Sequence, residues 1–167
     1  MKNFLAVIGG IVVGFFVLMA VVFASSMLNM PRSVPVRPPS SPRVMTAEEI
    51  AEKIDGSMEK TMPGQYRSEL DMENELYKVD MWNDFTSDLI ETIRSGIGLD
   101  RWDLVREDLT GLCRDMQSRF TDNGHPEITV VLSLVNPDDP DDVFLTAANG
   151  IVGYDVVNGI DLRGDAA

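Results

Sequence analysis

The chain has 167 residues, room for one globular domain of ordinary size. All 27 acidic residues follow position 44, whereas four of the 14 basic ones (Lys2, Arg32, Arg37, Arg43) precede it, so the first 43 residues carry +4 and the rest, with 10 basic groups, carries −17. A domain so acidic repels phosphate backbones and anionic lipid, which excludes nucleic acid as its partner class and favours cations or basic proteins; the single cysteine, Cys113, excludes an intrachain disulfide.

From Phe4 to Ala24 every residue is Phe, Leu, Ala, Val, Ile, Gly or Met. At about 1.5 Å per residue such a run matches a hydrocarbon core of roughly 30 Å. Fourteen of its residues are Leu, Ile, Val or Phe, and each favours insertion by roughly 0.3 to 0.6 kcal/mol. Lys2 and the Val22-Phe23-Ala24 sequence before Ser25 also fit a cleaved signal peptide. The apolar run is, however, longer than the roughly 7 to 15 residues of a signal h-region. Residues 1–30 are therefore expected to form an uncleaved signal anchor, a single pass through the lipid bilayer of the cell membrane. Positive charge flanks the run on both sides; the very short tail before it favours an extracytoplasmic C-terminal domain.

Ala6, Gly10 and Gly14 fall four residues apart and form a small-residue stripe that lets two such helices approach, so a homodimer through this helix is one expectation. The ordinary frequency of glycine in membrane helices explains the same stripe. Residues 31–45 are a linker. Five of the thirteen residues from Pro31 to Arg43 are proline, and polyproline II at about 3.1 Å per residue makes a semi-rigid stalk of roughly 40 Å. Its two P-x-x-P matches are what any proline-rich linker would contain.

The soluble domain is expected over residues 46–160, with 161–167 as a tail. Thr46-Ala47-Glu48-Glu49 is a capping box, and Ile50, Ile54 and Met58 follow at helical spacing, predicting a helix from Ala47 to Lys60 that Pro63-Gly64 ends. Tyr77, Val79 and Met81 alternate with Lys78 and Asp80, the period of a strand within Glu75 to Trp82. From Phe85, Leu89, Ile90 and Ile93 predict a short helix stopped by Gly96. Asp100 can cap a long helix with Trp102, Val105, Leu109, Leu112, Cys113, Met116 and Phe120 on its apolar face, ending at Asn123-Gly124.

Ile128 to Val135 reads as a central strand. Val143–Ala148 and Ile151–Val157 flank Asn149-Gly150, a type I′ hairpin signal that pairs Ala148 with Ile151 and Leu145 with Tyr154. The expected fold is α+β in the order α-β-α-α-β-β-β, a two-layer domain with an antiparallel sheet of three or four strands covered by helices.

Asp138, Asp139, Asp141 and Asp142 put four carboxylates into the turn after Asn136, a candidate calcium loop. The spacing lacks the D-x-D-x-D-G pattern, and the flanking prolines suit an ordinary turn. Cys113 and His125 are the only residues from which a Cys-His nucleophilic pair could be built, yet Cys113 belongs to the apolar stripe. Ser57-Met58-Glu59-Lys60 matches Ser-x-x-Lys without the companion motifs of the penicillin-recognising enzymes. Arg163-Gly164-Asp165 is a chance-level adhesion tripeptide, and Trp82 and Trp102 read as packing residues rather than a binding platform.

No cofactor and no catalytic constellation is expected. The leading expectation is an interaction module that binds a protein or envelope component at a distance from the membrane. A cation-sensing role through the acidic loop is the alternative, and a membrane-tethered hydrolase would need catalytic groups the sequence does not single out.

Overall fold

The computed structural model describes residues 44–83 and 86–162. The segment Phe4–Ala24, the stripe Ala6, Gly10 and Gly14, the linker up to Arg43 and the tripeptide Arg163-Gly164-Asp165 lie outside the described residues. No described helix is long and apolar enough to cross a membrane.

The domain begins with α1 (Ala47–Thr61), whose capping box forms as the spacing predicts. The Thr46 hydroxyl accepts from the Glu49 amide at 3.3 Å, and the Glu49 carboxylate accepts from the Thr46 amide at 3.1 Å. Its four-residue spacing buries Ile50, Ile54 and Met58 completely or nearly so. Helix α2 (Thr86–Arg94) is short, and α3 (Leu99–Asp122) is the long apolar-striped helix. Asp100 does not cap α3; Gly98, at φ 81°, occupies the cap without a side-chain bond, and the helix is already turning at Leu99.

The sheet differs from expectation. It has six strands in sequence order, β1 (Tyr66–Asp71), β2 (Leu76–Met81), β3 (Thr129–Val135), β4 (Val143–Ala148), β5 (Ile151–Asp155) and β6 (Ile160–Asp161), and it is mixed. The class is α+β, but the antiparallel sheet of three or four strands and the order α-β-α-α-β-β-β are corrected to six strands in α-β-β-α-α-β-β-β-β. The parallel pair is β2 with β3, from Leu76↔Thr129 to Met81↔Leu134. Parallel neighbours need a crossover connection, which α2 and α3 supply. β1 escapes periodicity because only Tyr66 and Leu70 of its six residues are apolar, as an edge strand permits. β6 has two residues, too few for any pattern.

Asn149 (φ 49°) and Gly150 (φ 79°) are both left-handed, as a type I′ turn requires, and Ala148 pairs with Ile151. The expected Leu145–Tyr154 pairing is corrected: past Ala147↔Val152 the register shifts, Thr146 meets Tyr154 and Leu145 meets Asp155. The extra residue in β5 is Gly153, and the shift sends every later side chain to the opposite face from the one alternation assigns.

Both α1 and α3 lie on the face lined by Tyr77, Val79, Val130, Leu132, Leu145 and Ala147. The Tyr77 hydroxyl donates to Asp55 Oδ1 of α1 at 2.6 Å, and its ring meets Phe120 of α3 with centroids 5.4 Å apart. Ile90 and Ile93 of α2 join the same core, and the Ser87 hydroxyl donates to Asn136 Oδ1 just beyond β3.

Candidate functional site

Residues paired directly across a sheet share a face, and the registers set Arg67, Asp80, Ser133, Thr146, Tyr154 and Asp161 in one row across all six strands. This row lies on the face opposite α1 and α3. Arg67 Nε donates to Asp80 Oδ2 at 2.8 Å, Lys78 Nζ stands 3.4 Å from the same oxygen, and the Ser133 and Thr146 hydroxyls are 3.3 Å apart. Asp80 is only 3% exposed, whereas the Arg67 and Lys78 side chains are about half exposed. The buried carboxylate is thus neutralised by two cations that keep donors facing water. Arg67, Ser68, Glu69, Lys78 and Asp80 line an open hollow of about 230 Å³ at the β1 side of the sheet.

The four aspartates of the acidic loop are all exposed. The loop is ordered by its own turn bonds: Asn136 Oδ1 accepts from the Asp138 amide at 3.0 Å, Asp139 Oδ1 from the Asp141 amide at 3.3 Å, and the Asp142 carbonyl from the Asn136 amide at 2.9 Å. Among the described residues no three His, Cys, Asp or Glu side chains form a group that could hold a metal ion. Asp138, Asp139, Asp141 and Asp142 therefore present charge outward rather than converging on a point.

Cys113 and His125 make bonds to different parts of the domain. The Cys113 thiol is buried between the Val130 and Ala147 carbonyls, each 3.5 Å away, and its sulfur accepts from the Gly150 amide at 3.3 Å. Burial pushes this thiol's pKa up, the reverse of what a nucleophile needs. His125 Nε2 lies 3.0 Å from the Met45 carbonyl and Nδ1 lies 3.2 Å from Glu127 Oε1, so the imidazole clasps the chain as it enters the domain. The Ser57 hydroxyl donates to the Lys53 carbonyl one turn back, the behaviour of an ordinary helical serine. Trp102 is buried and Trp82 half-buried.

Sequence reading missed two buried carboxylates. Asp80 stands in the alternation of β2 where a solvent-facing residue is expected, and only its neighbours across the sheet reveal that it is enclosed. Asp155 is fully buried because the Gly153 shift turns it onto the helical face. There it accepts from the Trp102 indole at 2.9 Å, the Val157 and Asn158 amides at 2.9 and 3.1 Å, and the Asn158 side chain at 2.7 Å. Arg106 Nε adds an ion pair at 3.3 Å, without the alignment of a hydrogen bond. Every one of these partners is structural, so Asp155 secures the β5–β6 turn to α3.

Helices together with a six-stranded mixed sheet define the class of the domain as α+β. Comparison with family models, with curated proteins and with solved structures finds no match to this chain.

Proposed function

We propose that this protein is a single-pass membrane protein, anchored by Phe4–Ala24, whose acidic domain is an interaction module for a basic protein or envelope component. The observation that carries this reading is charge segregation, +4 before position 44 against −17 after it. Complementary fields of that size steer encounter and exclude like-charged partners. The outward aspartates Asp138, Asp139, Asp141 and Asp142, held in an ordered turn, supply the densest part of that field. The proline-rich segment 31–45 would hold the domain clear of the bilayer, on its extracytoplasmic side. No enzyme activity or cofactor is part of the proposal.

The test is crosslinking of the intact chain in its native membrane at about 0.1 M and about 1 M salt, where the screening length falls from roughly 10 Å to roughly 3 Å. The expected result is capture of basic partners at low salt and their loss at high salt. Partners retained equally at both salts, or acidic ones, would overturn the proposal. Protease protection on intact cells reads the orientation, and a protected C-terminal domain would place it on the cytoplasmic side instead.

A further inference from the structure

We propose that β1 is a self-recognition edge, through which two copies of this chain pair antiparallel, centred on Ser68, into one continuous sheet. β1 is the outermost strand of the sheet. The Trp82 amide donates to the Gln65 carbonyl at 3.0 Å, in register with Tyr66↔Met81. In an antiparallel pair, residues that exchange hydrogen bonds alternate with residues that do not. Gln65, Arg67, Glu69 and Asp71 therefore bond toward β2, and the amides and carbonyls of Tyr66, Ser68 and Leu70 point out of the sheet.

Any strand added antiparallel must bond to those three residues. A second copy centred on Ser68 does so fully: Ser68 exchanges bonds with its own counterpart, and Tyr66 with Leu70 of the other copy, twice. The charges select the same register. In the intervening positions Arg67 stands opposite Glu69 of the other copy on both sides of the two-fold axis. Centring the pair on Arg67 or on Glu69 would instead set identical charges directly opposite each other, which is destabilising.

The charge pattern also continues into the next strands. Glu69 pairs with Lys78 and Arg67 with Asp80 inside each copy. The joined sheet thus carries two symmetric rows reading Lys78, Glu69, then Arg67 and Asp80 of the second copy, with alternating sign throughout. On the other face the half-buried Tyr66 and Leu70 come together and gain cover. Charged edge residues ordinarily discourage edge-to-edge pairing. Here they turn away an uncharged or like-charged strand and accept their own. The hollow lined by Arg67, Glu69, Lys78 and Asp80 adjoins this edge, so these side chains have room to reorient toward a partner.

The test uses the full chain in lipid vesicles. Positions 67 and 69 of facing copies form a non-hydrogen-bonded pair, with Cα atoms about 4.5 Å apart, within disulfide reach. Chains carrying Arg67→Cys and chains carrying Glu69→Cys, reconstituted together under mild oxidation, are expected to give several-fold more disulfide dimer than either alone. The mixed pair also keeps one intact Arg67–Glu69 row. Ser68→Cys should crosslink to itself, lose most of that yield when either Arg67→Glu or Glu69→Arg is added, and recover it when those two double variants are mixed, since each chain's altered contact with Asp80 or Lys78 is the same alone and in the mixture. A dimer held only by the membrane helix would show no preference for the mixed pair and no recovery, which overturns the proposal without touching the anchoring or the charge-steered binding. Ser68→Cys crosslinks found only to another protein in the native membrane would overturn it too.

Discussion

The Trp102 indole of α3 donates to Oδ1 of Asp155 at the end of β5, a 2.9 Å bond between residues 53 positions apart. It exists because Gly153 shifts the β5 register by one, turning Asp155 inward beneath the helix. A fully buried carboxylate is tolerable only with its oxygens satisfied, and the Val157 and Asn158 amides, the Asn158 side chain and Arg106 complete the set.

Asp155→Ala strands the buried Trp102 indole and the two turn amides, while Arg106, about a third exposed, keeps Asp103 at 2.9 Å. The expected cost, led by the unsatisfied indole donor, is about 1 to 3 kcal/mol. Asp155→Asn keeps one acceptor for the indole and the turn amides and should cost less. Denaturant unfolding of the purified protein checks this, and equal midpoints for Asp155→Ala and the parent would show that the cluster contributes nothing.

His125 gives the domain a pH dependence with a definite sign. The hydrogen bond to the Met45 carbonyl, followed by the bond to and charge of Glu127 and the charge of Glu48, raises its pKa above the ordinary 6.5. A raised folded-state pKa means that this stabilisation is complete below pH 6.5 and is lost as pH rises through the folded value. Only the imidazolium donates to both partners, so the neutral ring gives up one bond. The stability difference between the parent and His125→Gln should be at most about 1 kcal/mol at pH 5.5 and shrink by pH 8.5. A difference that grows with pH would contradict the assignment.

Legibility in the sequence followed whether a signal is local. The Thr46–Glu49 capping box, the α3 stripe and the Asn149-Gly150 turn each act within a few residues, and each forms as its spacing predicts. The parallel partnership of β2 and β3 depends on how α2 and α3 carry the chain across the sheet, which no window of sequence contains. β1 was invisible because an edge strand facing solvent needs little apolar character. The charged row through Arg67 and Asp80 was hidden for the same reason, since it takes shape only when β1 is laid beside β2. One glycine of bulge then decided that Asp155, and not Tyr154, would face the core.

Cys113 should be chemically silent in the native state. Its sulfur is enclosed between α3 and the strands β3 and β4, and burial raises the pKa, so little thiolate forms and no reagent reaches it. Maleimide modification of the full chain is expected only on addition of denaturant, along the unfolding transition. Rapid modification under native conditions would mean that α3 lifts from the sheet.

Gly150 tests the same contact from the other side. Its φ of 79° is left-handed, and a Cβ there would stand 3.0 Å from Arg114 Cβ and 3.3 Å from the Thr110 carbonyl oxygen. Gly150→Ala therefore strains the turn and presses the hairpin away from α3, lengthening the bond from its amide to the Cys113 sulfur. The left-handed conformation alone costs about 1 to 2 kcal/mol for a residue with a Cβ, and the contact adds to it. Gly153→Ala, with nothing within 4 Å of its Cβ and no positive φ, is the matched control and should cost far less. Unfolding midpoints for the two variants, together with the rate of Cys113 modification in each, separate strain at the turn from a general loss of stability: only Gly150→Ala should both lower the midpoint and expose the thiol.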